Sequence, residues 1–95
     1  MADDIRVIQN ADAKRFEVEG AGDDAVLNYH LGTRHITLIH TEVSPKYEGK
    51  GYAGALVRAA LNFARAGNLR VIPHCPFVRT YIARHPEFAD LVKAE

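Results

Sequence analysis

The sequence predicts a single α/β (α+β) domain over residues 1–95: four short antiparallel strands, an amphipathic helix, a fifth strand parallel to the fourth, and a C-terminal helix. Three observations predict it. Apolar residues tend to alternate up to Val43, the spacing becomes helical after Pro45, and a short apolar run, LRVIP, follows the helix. At 95 residues the chain is near the small end of the range in which one core forms without staples, and its 47% hydrophobic content supplies enough apolar surface to offset chain entropy.

The elements follow in order. IRVIQN, from Ile5, alternates loosely, and in KRFEVEG the side chains of Phe16 and Val18 take one face against Arg15, Glu17 and Glu19, so both read as antiparallel strands. GAGDD at 20–24 is a turn; AVLNYHLG and HITLIHTEV are two further β-rich runs separated by Gly32, Thr33 and Arg34. Connections this short suit a meander of antiparallel neighbours. Beyond Pro45, Tyr52, Ala55, Leu56, Ala59, Ala60 and Phe63 recur at helical spacing, with Arg58, Asn62 and Arg65 on another face. AGN supplies the stop, Gly67 or Asn68 taking the left-handed conformation. LRVIP is reached through the helix and is therefore parallel to its predecessor. The last segment opens on Pro76, places Phe77, Tyr81 and Ile82 on one side of a helix, and is expected to break near Pro86 and resume at Glu87.

Composition removes several functions. Twelve basic and twelve acidic residues give a net charge of zero, so no overall field recommends nucleic acid or an anionic membrane as partner. A single cysteine, Cys75, excludes an internal disulfide and lacks the companions of a zinc site, so no metal is expected. The acidic N-terminus MADDIRVIQN carries neither a signal nor a transit peptide, and no apolar stretch is long enough to span a bilayer. A cytoplasmic protein, a monomer or weak dimer, is the expectation.

PKYEGKGYAGALVRAALNFARAG, from Pro45 to Gly67, places Gly49, Gly51 and Gly54 at the mouth of the best helix in the chain. Glycine costs about 1 kcal/mol relative to alanine inside a helix, so these positions need a reason beyond propensity. Unpaired amides at a helix N-terminus bind phosphate, and glycines let it approach without a Cβ in the way. With Lys50 beside them, the chemistry indicated is pyrophosphate binding; the ligand-free alternative is a tight β–α turn. The Walker pattern G-x-x-x-x-G-K-[ST] is missing, and GKGYAG lacks the later acidic residue on a strand that a Rossmann motif requires.

EVSPKYEGKGYAGALV resembles the coenzyme-binding turn of the GNAT superfamily of acetyl-coenzyme A-dependent N-acetyltransferases, in which a strand ending in a hydrophobic residue leads through Q/R-x-x-G-x-G/A into a helix. Gly51 and Ala53 take the two small positions and Val43 the strand end. Glu48 departs from the usual Gln or Arg; a carboxylate repels pyrophosphate, so this residue is expected to offer its backbone. HTEV, EGKG, CPFV, YI and HPEF stand in the order of a short single-domain branch, sometimes called YjdJ-like, and the resemblance runs from about the fourth strand to Phe88. It implies acetyl-coenzyme A held between splayed fourth and fifth strands by Val43, Glu48, Gly49, Lys50, Gly51, Tyr52, Ala53 and Gly54. It also implies an acyltransferase that passes acetyl to an amine, whether a peptide lysine, a polyamine or another small amine.

Four residues are candidates for the chemistry. Cys75 precedes Pro76 and so occupies a helix N-cap, where the dipole favours thiolate; the alternative is a buried cysteine acting as a small hydrophobe. The resemblance adds that Cys75 and the fourth-strand histidine, His40, are the active-site candidates of this branch. His40 would take the proton of the acceptor amine or of Cys75, unless it is an ordinary strand histidine. Glu42 is a second base acting through water, or an exposed strand carboxylate. Tyr81 stands where such enzymes place a tyrosine that protonates the leaving thiolate, although its spacing from Phe77 also suits a core position. Direct attack by the amine and an acetyl-Cys75 intermediate both remain open. A different class of function, a non-catalytic coenzyme A-binding sensor or interaction module, is compatible with how little sequence precedes the first strand.

Overall fold

A computed structural model describes residues 5–92. Its first hairpin joins β1 (Val7–Asn10) to β2 (Arg15–Val18) through a turn in which Ala13 donates its amide to Asn10 Oδ1 and Lys14 takes a left-handed φ of 58°. β3 (Ala25–Leu31) and β4 (His35–Val43) continue the antiparallel meander, and β5 (Arg70–Pro73) lies parallel to β4. The sheet order is β1-β2-β3-β4-β5, as the sequence predicts.

The crossover from β4 to β5 is α1 (Tyr52–Ala66). It ends in a Schellman arrangement: Leu69 donates to the Ala64 carbonyl at 2.8 Å, Asn68 donates to Arg65 at 3.2 Å, and Asn68 is the left-handed residue with φ 58°. α2 (Pro76–Arg84) starts on proline, stops at His85, whose Nδ1 bonds the Tyr81 carbonyl at 2.9 Å, and gives way to a 3₁₀ segment at Pro86–Leu91. The break falls where proline removes the amide that a continuing helix would need.

Both helices pack on one face of the sheet. Their buried residues join Phe16, Val18, Leu27, Tyr29, Ile36, Leu38 and Val71 in one cluster. Each large apolar side chain in it stabilises the fold by about 1.5–3 kcal/mol on burial. The buried stripe of α1 is wider than the sequence suggests: Val57, Leu61 and Ala64 join Leu56 and Ala60, while Tyr52, Ala55, Ala59 and Phe63 are half-buried at its flanks. The helix meets the sheet on one side and α2 on another, so a narrow stripe would not cover both contacts. On the opposite sheet face Arg15, Glu17 and Asn10 form a polar network, and Ile8 is exposed.

One irregularity decides which residues of β4 reach the core. Tyr29 pairs with Leu38 but Asn28 pairs with His40, so β4 carries one extra residue, Ile39, opposite that step. Side chains alternate along a strand, and an extra residue inverts the alternation beyond it. Before the bulge Ile36 and Leu38 point toward the helices. After it Thr41 and Val43 do so, opposite Leu27 and Ala25, while His40 and Glu42 are turned to the exposed face. β5 pairs with β4 only from Arg70 opposite His35 to Pro73 opposite Leu38, leaving Ile39–Val43 without a parallel neighbour. A gap opens there.

Candidate functional site

The gap is bounded by the turn that leads into α1. Pro45–Tyr47 makes a 3₁₀ turn, after which Gly49 at φ 81° and Gly51 at φ 83° reverse the chain into the helix. Only glycine takes such φ values without strain. The first α-helical bond is donated by Ala55 to the Gly51 carbonyl at 3.1 Å. Among the described residues, the amides of Gly49, Gly51, Tyr52, Ala53 and Gly54 therefore have no backbone acceptor. Helix-terminal amides of this kind, with the positive end of the dipole behind them, attract anions. Glu48 and Lys50 differ: Glu48 donates its amide to Pro45 at 3.1 Å and Lys50 donates to Tyr47 at 3.3 Å. The backbone contribution expected of Glu48 is thus already committed within the turn.

The residues that carry these amides border an open, mainly apolar pocket of about 220 Å³ formed by Val43, Tyr47, Glu48, Gly49, Gly51, Tyr52, Ala53, Gly54 and Phe77. It gathers the residues predicted for the coenzyme with one exception, Lys50, which is exposed beside it. Tyr47 and Phe77 were not among the predicted residues. Tyr47 stacks on Tyr52 with ring centroids 5.1 Å apart, and Phe77, expected on the core side of α2, is 41% exposed and turned to the pocket. Gly54 has ordinary φ; a Cβ there would meet only Tyr81 Cε2, at 3.6 Å. A methyl group would therefore fit against the Tyr81 ring without a clash. At the strand end, Ser44 donates its amide to Asp24 on the β3 side at 2.7 Å. Strand amides alternate in direction, so the neighbouring amide of Val43 faces the gap.

Cys75 is the N-cap of α2, with Pro76 at the first helical position, and is 3% exposed. Its amide donates to the Leu38 carbonyl at 3.0 Å, which fixes the start of α2 against the last residue of β4 that pairs with β5. Its sulfur lies 3.5 Å from Thr41 Oγ1. Burial is the largest single influence on the thiol and pushes its pKa up. The Thr41 hydroxyl, with the amides of Val78, Phe77 and Thr41, outweighs burial and holds the thiol below its ordinary value. The arrangement favours thiolate, as the N-cap position leads one to expect.

The partner of Cys75 is Thr41, where the sequence suggested His40. The bulge at Ile39 is the reason, since it exchanges the faces of the two residues. His40 and Glu42 stand exposed on the far side of β4. Tyr81 is 9% exposed, stacked on His85 at 3.9 Å between centroids, and close to Gly54 at the head of α1. Arg79 donates to the carbonyls of Pro73 and His74 at 2.8 and 2.9 Å and so ties the end of β5 to α2. Among the described residues no group of three His, Cys, Asp or Glu side chains could hold a metal ion, and no helix is long and apolar enough to cross a membrane.

Comparison with known proteins gives a consistent result. A sequence model of the GCN5-related N-acetyl-transferase family matches residues 15–91. Protein NATD1 of Mus musculus is 36% identical over 85 residues, covering 86% of this chain and 77% of that protein. Protein NATD1 of Homo sapiens is also 36% identical, with 75% of its length covered. A GCN5-like protein from Staphylococcus aureus, solved in solution by NMR, shares the fold with a TM-score of 0.73 at 22% identity, over 98% of this chain and 92% of that one. The family match spans β2 to the end of the 3₁₀ segment and so includes the glycine turn, the bulged strand and Cys75. The chain belongs to the GCN5-related N-acetyltransferase family.

Proposed function

We propose that this chain binds acetyl-coenzyme A with its pyrophosphate against the head of α1 and transfers the acetyl group to an amine. The observation that supports this most is the set of free amides of Gly49, Gly51, Tyr52, Ala53 and Gly54 around one pocket at the split between β4 and β5. Such amides match the acceptor oxygens of a pyrophosphate. The Tyr47 and Tyr52 rings and Phe77 supply apolar wall for the rest of the coenzyme. When bound, the coenzyme supplies an activated acetyl thioester.

The protein's own groups then have distinct tasks. The Val43 amide, aimed into the gap, polarises the thioester carbonyl. Tyr81, at the head of α1, gives its proton to the departing thiolate. Cys75 attacks as thiolate, forming a bond from Sγ to the acetyl carbon, and an amine later takes the acetyl group, loses a proton and restores the thiolate. In the direct route the amine attacks without Cys75, and His40, or Glu42 through water, receives its proton. The acceptor is a peptide lysine or a small amine approaching along β4.

Incubation with acetyl-coenzyme A and a panel of amines and peptides, followed by free thiol release and intact mass, tests the reading. The covalent route is expected to leave one hydroxylamine-sensitive acetyl group that is absent in Cys75→Ala. Tight coenzyme binding with no acetylation and no turnover on any acceptor would overturn transfer in favour of the non-catalytic module. That second reading draws on one observation: both helices cover the same sheet face, so His40 and Glu42 have no walls around them.

A further inference from the structure

We propose that Thr41 is a positioning residue for the reaction, its hydroxyl donating to the sulfur of Cys75 and presenting that sulfur as a thiolate at the β4–β5 gap. The geometry rests on three independent features. The bulge at Ile39 inverts the alternation of β4 and puts Thr41 on the helix face, where strict alternation would have put His40. The Cys75 amide is pinned to the Leu38 carbonyl at 3.0 Å, so the N-cap residue cannot drift from the strand. Thr41 Oγ1 then stands 3.5 Å from Sγ, within hydrogen-bonding reach of a sulfur.

The direction of that bond follows from charge. A thiolate carries no proton and only accepts, so the Thr41 hydroxyl must be the donor; a thiol could serve either way. Hydrogen bonds to a charged acceptor are about twice as strong as neutral ones, so the contact stabilises the ionised sulfur more than the neutral one. Other groups around Cys75 do not replace this contribution. His74, beside it on the chain, is exposed, and Arg79, on α2, is turned back onto the Pro73 and His74 carbonyls. Helix α1 turns only apolar residues inward, and β5 presents Val71 on that face. Tyr81 is the remaining titratable group that α2 turns inward. The backbone amides of Phe77, Val78 and Thr41 also favour the ionised sulfur, and no side-chain substitution removes them.

Thr41 retains its proton throughout. As Sγ bonds the acetyl carbon the negative charge passes to the departing coenzyme sulfur, and the hydroxyl is left as a neutral neighbour of a thioester. The bond to the hydroxyl therefore holds the nucleophile in place before attack and releases it afterwards. This proposal rests on the acetyl-transfer reading in one respect, that Cys75 is the acetyl carrier.

The test is a titration of the Cys75 ¹³Cβ resonance in the whole chain, without coenzyme, for the wild type, Thr41→Val and Thr41→Ser. Chain-wide there is one cysteine, so the signal is unambiguous. Thr41→Val keeps the branched shape and loses the donor; Thr41→Ser keeps the donor. The wild type is expected to inflect below the free-thiol value of about 8.5, Thr41→Val to move up toward it, and Thr41→Ser to return toward wild type. An inflection in Thr41→Val that matches the wild type, in a protein whose amide spectrum is native, would overturn the proposal, as would a serine variant that behaves like valine. Acetylation of Cys75 by acetyl-coenzyme A, measured separately by mass, should slow in Thr41→Val and recover in Thr41→Ser. No acetylation in the wild type would overturn the carrier reading on which the proposal stands, whereas an unmoved titration overturns only Thr41.

Discussion

Replacing Gly54 by alanine should make the protein more stable and a poorer binder of coenzyme A. Gly54 sits in the first turn of α1 with φ in the ordinary range, and the new methyl group would meet only Tyr81 Cε2 at 3.6 Å, a normal van der Waals distance. Nothing in the ligand-free protein opposes it. Alanine is favoured over glycine in a helix by up to about 1 kcal/mol, and in a domain of about this length 1 kcal/mol raises the midpoint by about 4–8 °C. Gly54 also lines the pocket, and a phosphate seated on its amide would be crowded by the added methyl group. Losing one hydrogen bond to a charged oxygen weakens binding by about 1.5–3 kcal/mol, or roughly 10- to 150-fold. Thermal unfolding of the free protein and calorimetric titration with coenzyme A read the two effects separately. Affinity within about twofold of wild type, in a variant that is more stable, would refute the placement of the ligand at this turn. Gly51 is a poorer probe. Its φ of 83° strains any side chain, so a change there confounds folding with binding.

Two further outcomes test the fold itself. Leu61→Ala, at a fully buried position on α1, should destabilise the protein by about 2–5 kcal/mol in a urea titration; a loss under about 1 kcal/mol would contradict the placement of Leu61 in the core. The Asn10 amide and then Arg15 hold the Glu17 carboxyl below the usual carboxylate range, so its contribution is present above the unfolded value of about 4.3 and is lost as pH falls through the lower folded one. Glu17→Gln should therefore be less stable than wild type at neutral pH by an amount that shrinks on acidification, and a difference constant with pH would contradict the pairing.

Most of the fold was legible because it depends on local rules. Phe16 and Val18 declare a half-buried strand, Asn68 supplies the left-handed stop, and Pro76 and Pro86 set the ends of α2. The glycine turn was legible for a similar reason: free amides and positive φ are properties of a short stretch, and Gly49 and Gly51 take the conformations their identity suggests. What escaped reading was tertiary. HITLIHTEV alternates as well with the bulge as without it, and only its pairing with β3 shows that Ile39 is supernumerary. That single residue moved His40 out and Thr41 in. Phe77 misled for a related reason, because its helical spacing from Tyr81 suits the core, yet α2 begins at the open end of the sheet and turns it to the pocket. The amide of Glu48 could not be judged until its bond to Pro45 was known.

The bulge also bears on which chemical route the architecture favours. General-base catalysis works across one hydrogen bond or one bridging water, so a base must share a face with the proton it removes. His40 and Glu42 lie on the exposed face, where Asn28 and Arg15 stand in register with His40, whereas Thr41 and Val43 lie on the helix side, Thr41 beside Cys75 and Val43 with Phe77 on the pocket at the head of α1. A thioester carried by a coenzyme seated on those amides would be reached from the helix side without passing around the strand. Attack by Cys75 is therefore compatible with the observed arrangement of side chains as it stands. Direct attack assisted by His40 requires the amine to lie across the gap, with its proton directed to the far face of β4. The covalent route consequently asks less rearrangement of this sheet, and it makes use of the residue that strict alternation of β4 would have turned away.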